Sequence, residues 1–343
     1  MTQAPLLNTN QTPYELAAAE DPSLRVVVSL DVEEEGLFSG RYASAGCTTR
    51  NVSLLPRLTP LTSELGFPLS LLCTHAVFMN PEARITLARM RDRLGAEIGE
   101  HLHHWNTPPL GPELSPPTPT DHLDPALLRA RLRSLLRAGQ DFQGAPLRAF
   151  RMGRWDLKAA IRPLLAEEGL HVDSSVCPLR VFKNGADHFL APADPYWAED
   201  GLLEVPITQI ALHPWLPPPL HSIARGLPEQ IGQRMLDSTR FWAALSANPV
   251  WHSATVMHLA VRWHVARGGK VICIFWHSSE MMPGASPRIK TQADADALLV
   301  RIYDFLRWLK ERYSARGVTL ASLAHDPLAR SFPARPADAH GDW

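Results

Sequence analysis

The run Leu24-Arg25-Val26-Val27-Val28-Ser29-Leu30 constrains the fold more than any other stretch of the chain. It is short, β-branched and almost continuously apolar, which is the pattern of a strand covered on both faces. Further runs recur at Pro68–Cys73, Glu97–Leu102, Leu147–Phe150, Leu170–Val172 and Lys270–Trp276. Helical stretches separate them. Asn80-Pro81 and Asp124-Pro125 each place a capping side chain before a proline at the first helical position, and Gly95 stops the first of these helices. Strand alternating with helix predicts an α/β chain built on a parallel sheet or barrel.

The 343 residues suffice for one large domain, read here as 23–325, with a flexible arm over 1–22 and a polar tail over 326–343. Between about 178 and 268 the alternation loosens, and the segment reads as an insertion before the last strands. Within it Leu202–Ile207 reads as an edge strand because of Pro206. Pro214–Pro219 reads as a stiff loop, and Glu229–Leu245 and Ser253–Ala266 as helices. A long helix over Thr291–Ala315 and a last strand over Val318–Leu323 follow.

Lys and Arg number 34 against 35 Asp and Glu, a net charge of −1, so no basic field is available to hold a nucleic acid. The apolar runs are far too short for a transmembrane segment. Cys47, Cys73, Cys177 and Cys273 are widely spaced and form no CxxC. With no basic-then-apolar leader at the start, they read as thiols of a cytoplasmic protein. Nothing in the sequence specifies an oligomeric state.

The unusual polar groups cluster just past strand ends: Asp31 and Glu33, then His101 and His103, Arg151, Asp173, and finally His277. In parallel α/β folds those ends gather on one face, where sites are built. Side chains two apart in an extended backbone face the same way, so His101 and His103 converge while His104 points elsewhere. Two imidazoles and one carboxylate with an open position form a known catalytic zinc arrangement. Each residue also has a plainer reading. Glu33-Glu34-Glu35 could be a solvated acidic turn, the histidines a hydrogen-bonded surface patch, and His277 a satisfied core histidine. Asp31 would partner a half-buried Arg151. Asp173 would either orient His277 or begin a turn. The shared placement favours a general acid at His277. Trp105, Trp155 and Trp276 are candidates to stack on a sugar ring, against the commoner role of packing.

The motifs Ser29-Leu30-Asp31-Val32-Glu33, Glu100–Pro109, Phe150–Trp155, Asp173–Val176 and Phe275–Glu280 running to Pro283-Gly284 stand in one order across most of the chain. Together they resemble the polysaccharide deacetylase family, the NodB-homology carbohydrate esterases, and within it the WalW-type branch. The resemblance implies a distorted (β/α) barrel of about seven parallel strands and a metal-dependent N-deacetylase. It implies Asp31 as catalytic base, Arg151 as its tether, His277 as general acid, and Glu33 and His101 as metal ligands. The sequence departs from the family in two places. Val32 separates what are usually adjacent acids, with Glu33 as the second, and Trp105 stands where the second histidine is usual. His103 is therefore the second ligand by strand geometry, with His104 and Asn106 as substitutes. The expected cofactor is one divalent ion, zinc first, with cobalt, nickel or manganese able to replace it. The expected substrate is an N-acetylated sugar or glycan precursor. A metal hydrolase of a non-sugar C–N bond and a non-catalytic glycan-binding relative are the alternatives.

Overall fold

A computed structural model describes residues 24–111, 117–182 and 185–335. The expected arm lies outside the described residues, as does the tail from 336 onward. The strands in chain order are β1 (Arg25–Val32), β2 (Leu69–Cys73), β3 (Glu97–Leu102), β4 (Ala149–Met152), β5 (Val172–Asp173), β6 (Tyr196–Ala198) and β7 (Leu203–Glu204). They continue as β8 (Gln209–Ala211), β9 (Ala244–Ser246), β10 (Val271–His277), β11 (Arg316–Val318) and β12 (Ala334–Arg335).

The main sheet runs β10-β1-β2-β3-β4-β5-β7-β6-β12, with β11 beside the start of β1. From β10 to β7 every neighbouring pair is parallel, which gives the seven consecutive parallel strands expected of the distorted (β/α) barrel. The sheet curls into a half-barrel. Its gap between β7 and β10 is spanned by backbone, where Thr208 N donates to the Cys273 carbonyl at 2.9 Å.

Two cores follow from the period of two along the strands. Val26, Val28, Leu30 and Val32 face outward against helices, packing with Leu55, Leu87, Leu132 and Leu306. Val27 faces inward with Leu72, Ala149, Cys273 and Phe275. Asp31 and Glu33 continue this inward series, just as His101 and His103 continue the inward series of β3. Registers then bring the ends level: Asp31 pairs with His277, and His101 with Arg151.

The two capped helices form as the sequence indicates, over Pro81–Leu94 and Pro125–Gln143, with Asn80 and Asp124 accepting from Ala83 N and Leu127 N at 3.0 Å each. Elsewhere the chain differs from its sequence reading. Leu203–Glu204 is not an edge strand, because it pairs between β5 and β6 and Pro206 falls beyond the paired residues. Pro217 opens a helix, Pro217–Arg225, where a stiff loop was expected, since prolines fit a first turn. The strand expected over Val318–Leu323 is β11, which ends at Val318, where Thr319 caps a short helix over Leu320–Ala324, and a further strand, β12, follows it. The first part of the tail is tied down by Arg25, which donates to Asp326 at 2.8 Å in a buried ion pair.

Candidate active site

Asp31 is buried at the end of β1, and Arg151, wholly buried at the end of β4, donates to its Oδ1 at 2.5 Å. The guanidinium is fixed from every side. It donates to Ser29 Oγ at 2.8 Å, to the Ser174 carbonyl at 2.9 Å and to Ser174 Oγ at 3.0 Å. Trp155 and Phe275 flank it, their ring centroids 5.1 and 5.4 Å from its central carbon. Burial pushes the Asp31 carboxyl up, but Arg151, helped by His101 and His277, overrides that and holds it below its ordinary value. Asp31 is thus kept ionised in a dry place. Its second oxygen lies 3.9 Å from His101 Nε2 and 3.7 Å from His277 Nε2.

His101 and His103 present their Nε2 atoms to the Glu33 carboxylate at 3.8 and 3.5 Å. Glu33, His101 and His103 are buried, and one ligand atom from each lies within 4.8 Å of the others. Among the described residues no other cluster of histidine, cysteine and acidic side chains has this closeness. The opposite ring nitrogens are already committed. His101 Nδ1 lies 2.9 Å from the Arg151 carbonyl, and His103 Nδ1 lies 2.7 Å from Glu34 Oε1. A carbonyl can only accept, so His101 carries its proton on Nδ1 and keeps the Nε2 lone pair free for a cation. Burial pushes His103 down, while Glu34, then Glu33 and Asp31, carry it above its ordinary value.

Sequence reasoning gave no separate role to Glu34, which Asn106 Nδ2 and Thr74 Oγ1 also hold, at 2.6 and 3.2 Å. Asn106 therefore serves the carboxylate that aims His103, while His104 points away toward Arg131 and Arg154 and titrates at about 3, chiefly because it is buried. Trp105 stacks on the His103 ring at 4.3 Å. Gly153 lets the ring sit there, because a Cβ at 153 would come within 2.5 Å of His103 Cδ2.

His277 stands at the open side of the cluster, 16% exposed. Its partner is Glu280, whose Oε2 lies 3.0 Å from Nδ1 and also accepts from the His277 backbone N–H at 3.0 Å. Burial lowers the imidazole's affinity for a proton, and Glu33, Glu280 and Asp31 together raise it to about 10.

Two expectations need correction. Asp173 does not orient His277: Glu280 occupies Nδ1, while Asp173 accepts from Ser175 Oγ at 2.5 Å and lies against the Glu204 carboxyl. Trp276 cannot stack on a ligand. The pleat of β10 turns it to the outer core, fully buried, while Cys273 and Phe275 face in. Trp105 and Trp155 do face the interior, each 8% exposed, lining the cluster rather than standing free. The triplet of glutamates and the His277-Ser278-Ser279-Glu280 spacing were the sequence signals for Glu34 and Glu280. Only the folded chain distinguishes them from a solvated turn and a helix cap.

No sequence-family profile matches the chain, and no curated protein is similar to it. Solved structures do share its fold. A protein from Mycobacterium smegmatis assigned as a polysaccharide deacetylase superposes with a TM-score of 0.55 at 15% identity, covering 93% of this chain and 95% of that one. A protein from Parabacteroides distasonis assigned as a glycoside hydrolase/deacetylase gives 0.57 at 12% identity over 91% of this chain and 73% of its own. Puue allantoinase gives 0.50 at 15% identity over 89% and 90%. The distorted (β/α) barrel expected from the motifs is the fold these structures share.

Proposed function

We propose that the protein is a metal-dependent hydrolase of a C–N bond, an N-deacetylase that releases acetate from an N-acetylated sugar or glycan precursor. One observation carries the reading: two imidazole Nε2 atoms and a carboxylate converge beside a buried aspartate held ionised by Arg151, with a third imidazole, that of His277, as proton carrier on the open side.

The residues present suit a divalent ion. Three carboxylates, Asp31, Glu33 and Glu34, crowd this corner of the barrel, and each ligand imidazole has its far nitrogen engaged, as metal-bound histidines do. Glu33, His101 and His103 would hold the ion, a donor set suited to zinc and tolerable to cobalt, nickel or manganese. When bound, it supplies Lewis-acid polarisation of the acetamide carbonyl and acidifies a water.

The chain's own residues account for the proton movements. Asp31, charged and fixed by Arg151, accepts the water's proton at Oδ2, the oxygen that Arg151 leaves free. His277 carries a proton on Nε2 while Glu280 engages Nδ1, and delivers it to the departing amine nitrogen. Trp105, stacked on His103, and Trp155, packed against Arg151, close the interior side of the cluster. A precursor handled inside the cell suits the buried thiols of Cys73, Cys177 and Cys273. The narrower WalW-type assignment belongs to this proposal and rests on the sequence motifs. Among the described residues no helix is long and apolar enough to cross a membrane.

The test is elemental analysis of the purified protein with acetate release from a panel of N-acetyl sugars and small amides. About one divalent ion per chain, lost in His101→Ala together with acetate release, is the expected result. A protein that takes up no zinc, cobalt, nickel or manganese overturns it, and release from small amides alone would move the substrate away from sugars.

A further inference from the structure

Beyond the barrel mouth lies a cavity of about 510 Å³, within the usual range for a small-molecule site. Three guanidiniums line it, from Arg180, Arg240 and Arg288, together with Trp251, His252 and Phe241. They come from separate parts of the fold. Arg180 follows the end of β5, Arg288 follows β10, and Arg240 projects from the Glu229–Trp242 helix. Among the described residues no carboxylate lines the cavity, and none hydrogen-bonds to any of the three side chains. Burial, then the repulsion of Arg180 and of Arg288, pushes the Arg240 guanidinium below its ordinary value, and only Asp237 on its own helix opposes this. The Arg180 Nε is buried without a hydrogen-bond partner. Like charges gathered with no carboxylate hydrogen-bonded to them are costly, and an anion is what relieves the cost.

The cavity adjoins the reacting groups. Trp251, in its wall, packs edge-on against Phe275 at 5.3 Å, and Phe275 packs in turn against His277 at 5.7 Å and beneath Arg151. Arg180 lies over the Trp251 ring at 5.5 Å. One ligand could therefore reach from the guanidiniums to His277. The geometry points to an anion subsite that takes the phosphate or diphosphate of an N-acetylated sugar while the sugar's amide is presented to Asp31 and His277. Guanidiniums suit this role because their planar N–H forks match phosphate oxygens two at a time. The inference deepens the deacetylase reading and rests on it for the link to the reaction.

The experiment has two readouts. Calorimetry with inorganic pyrophosphate, on the parent and on the Arg240→Gln/Arg288→Gln variant, reads the subsite alone. Acetate release from N-acetylglucosamine 1-phosphate, relative to its uncharged methyl glycoside, reads the link. We expect the variant to bind pyrophosphate at least about tenfold more weakly, the scale of one lost charge-assisted hydrogen bond. The preference of kcat/KM for the phosphorylated substrate should fall by a similar factor. The single variant Arg288→Gln, an exposed position, guards against misfolding of the double variant and should show the same direction. Competition by uridine diphosphate or by a detergent-solubilised polyprenyl diphosphate would support the subsite and identify a nucleotide or a lipid as the carrier. Equal pyrophosphate binding by parent and variants overturns the inference. Pyrophosphate binding that depends on the arginines, with no acetate from either substrate, would instead overturn the deacetylase reading and leave the anion site standing.

Discussion

Two clusters of buried charge sit in the same curled sheet and treat their carboxyl groups in opposite ways. At the β1 end Arg151 donates directly to Asp31, and the carboxyl is held below its ordinary value. At the β5–β7 end Asp173 and Glu204 lie side by side, and burial pushes both up, Glu204 the further with Asp173 adding to it. The arginine beside that pair, Arg162, pulls on both carboxyls without overriding their burial, and its ion pair is with Asp200 at 3.4 Å. The second cluster must therefore neutralise itself by sharing a proton. Burial is nearly equal in the two places. What differs is whether a guanidinium is aimed at the carboxylate, and that separates a charged carboxylate from a protonated strut.

The largest effects should fall on Asp31, the base of the proposed reaction. Asp31→Asn is expected to lower kcat/KM for acetate release by about 10²–10⁴-fold, the usual range for losing a general base. Asp173→Asn, which keeps a hydrogen-bonding group beside Ser175, should leave the rate close to that of the parent. Equal losses in the two variants would break the contrast. Stability should divide the same way. Arg151→Met leaves Asp31 buried without its counter-charge and should cost roughly 3–5 kcal/mol in urea denaturation. Arg162→Met should cost less, since the carboxyls near it already hold a proton, and a penalty as large as that of Arg151→Met would show the second pair to be ionised after all.

A smaller effect sharpens the metal side of the first cluster. Glu34 is argued to aim His103 from behind, so Glu34→Gln should weaken zinc binding by about 10- to 100-fold, the range seen when such a supporting partner is changed. A chelator competition measures it. An unchanged zinc affinity would return Glu34 to the role of a packing carboxylate.

Much of this was legible before folding, and the limits have physical causes. The inward pair Asp31 and Glu33 and the pair His101 and His103 could be read from strand alternation alone, because a period of two fixes which face a side chain takes. The same alternation, applied to β10, would have sent Trp276 outward once His277 was placed inward. The attraction of a tryptophan beside a site obscured that. The partners of His277 and His103 were less accessible, since Glu280 and Glu34 look like a helix cap and a solvated turn until the barrel brings them against the imidazoles. The three arginines of the neighbouring cavity, at positions 180, 240 and 288, come from segments with no common period, so only the tertiary fold gathers them.

The smallest expected effect reads the two clusters through the pH dependence of stability, in protein freed of metal by a chelator. Glu204 has a folded-state pKa well above its ordinary 4.5, so the native state holds a proton there that the unfolded chain gives up. Its contribution to stability is complete below about pH 4.5 and is lost as pH rises through the folded value. Asp31 lies below its ordinary 3.8, so its contribution is present above that pH and is lost as pH falls through the folded value. Glu204→Gln should therefore remove a declining slope above about pH 4.5, and Asp31→Asn a rising slope at the acid end, each at most about 1.4 kcal/mol per pH unit. Urea denaturation across about pH 3 to 8 reads both. If the two variants flatten the curve in the same direction, the guanidinium contact does not divide the two carboxyl environments, and the case for Asp31 as a charged base loses its electrostatic support.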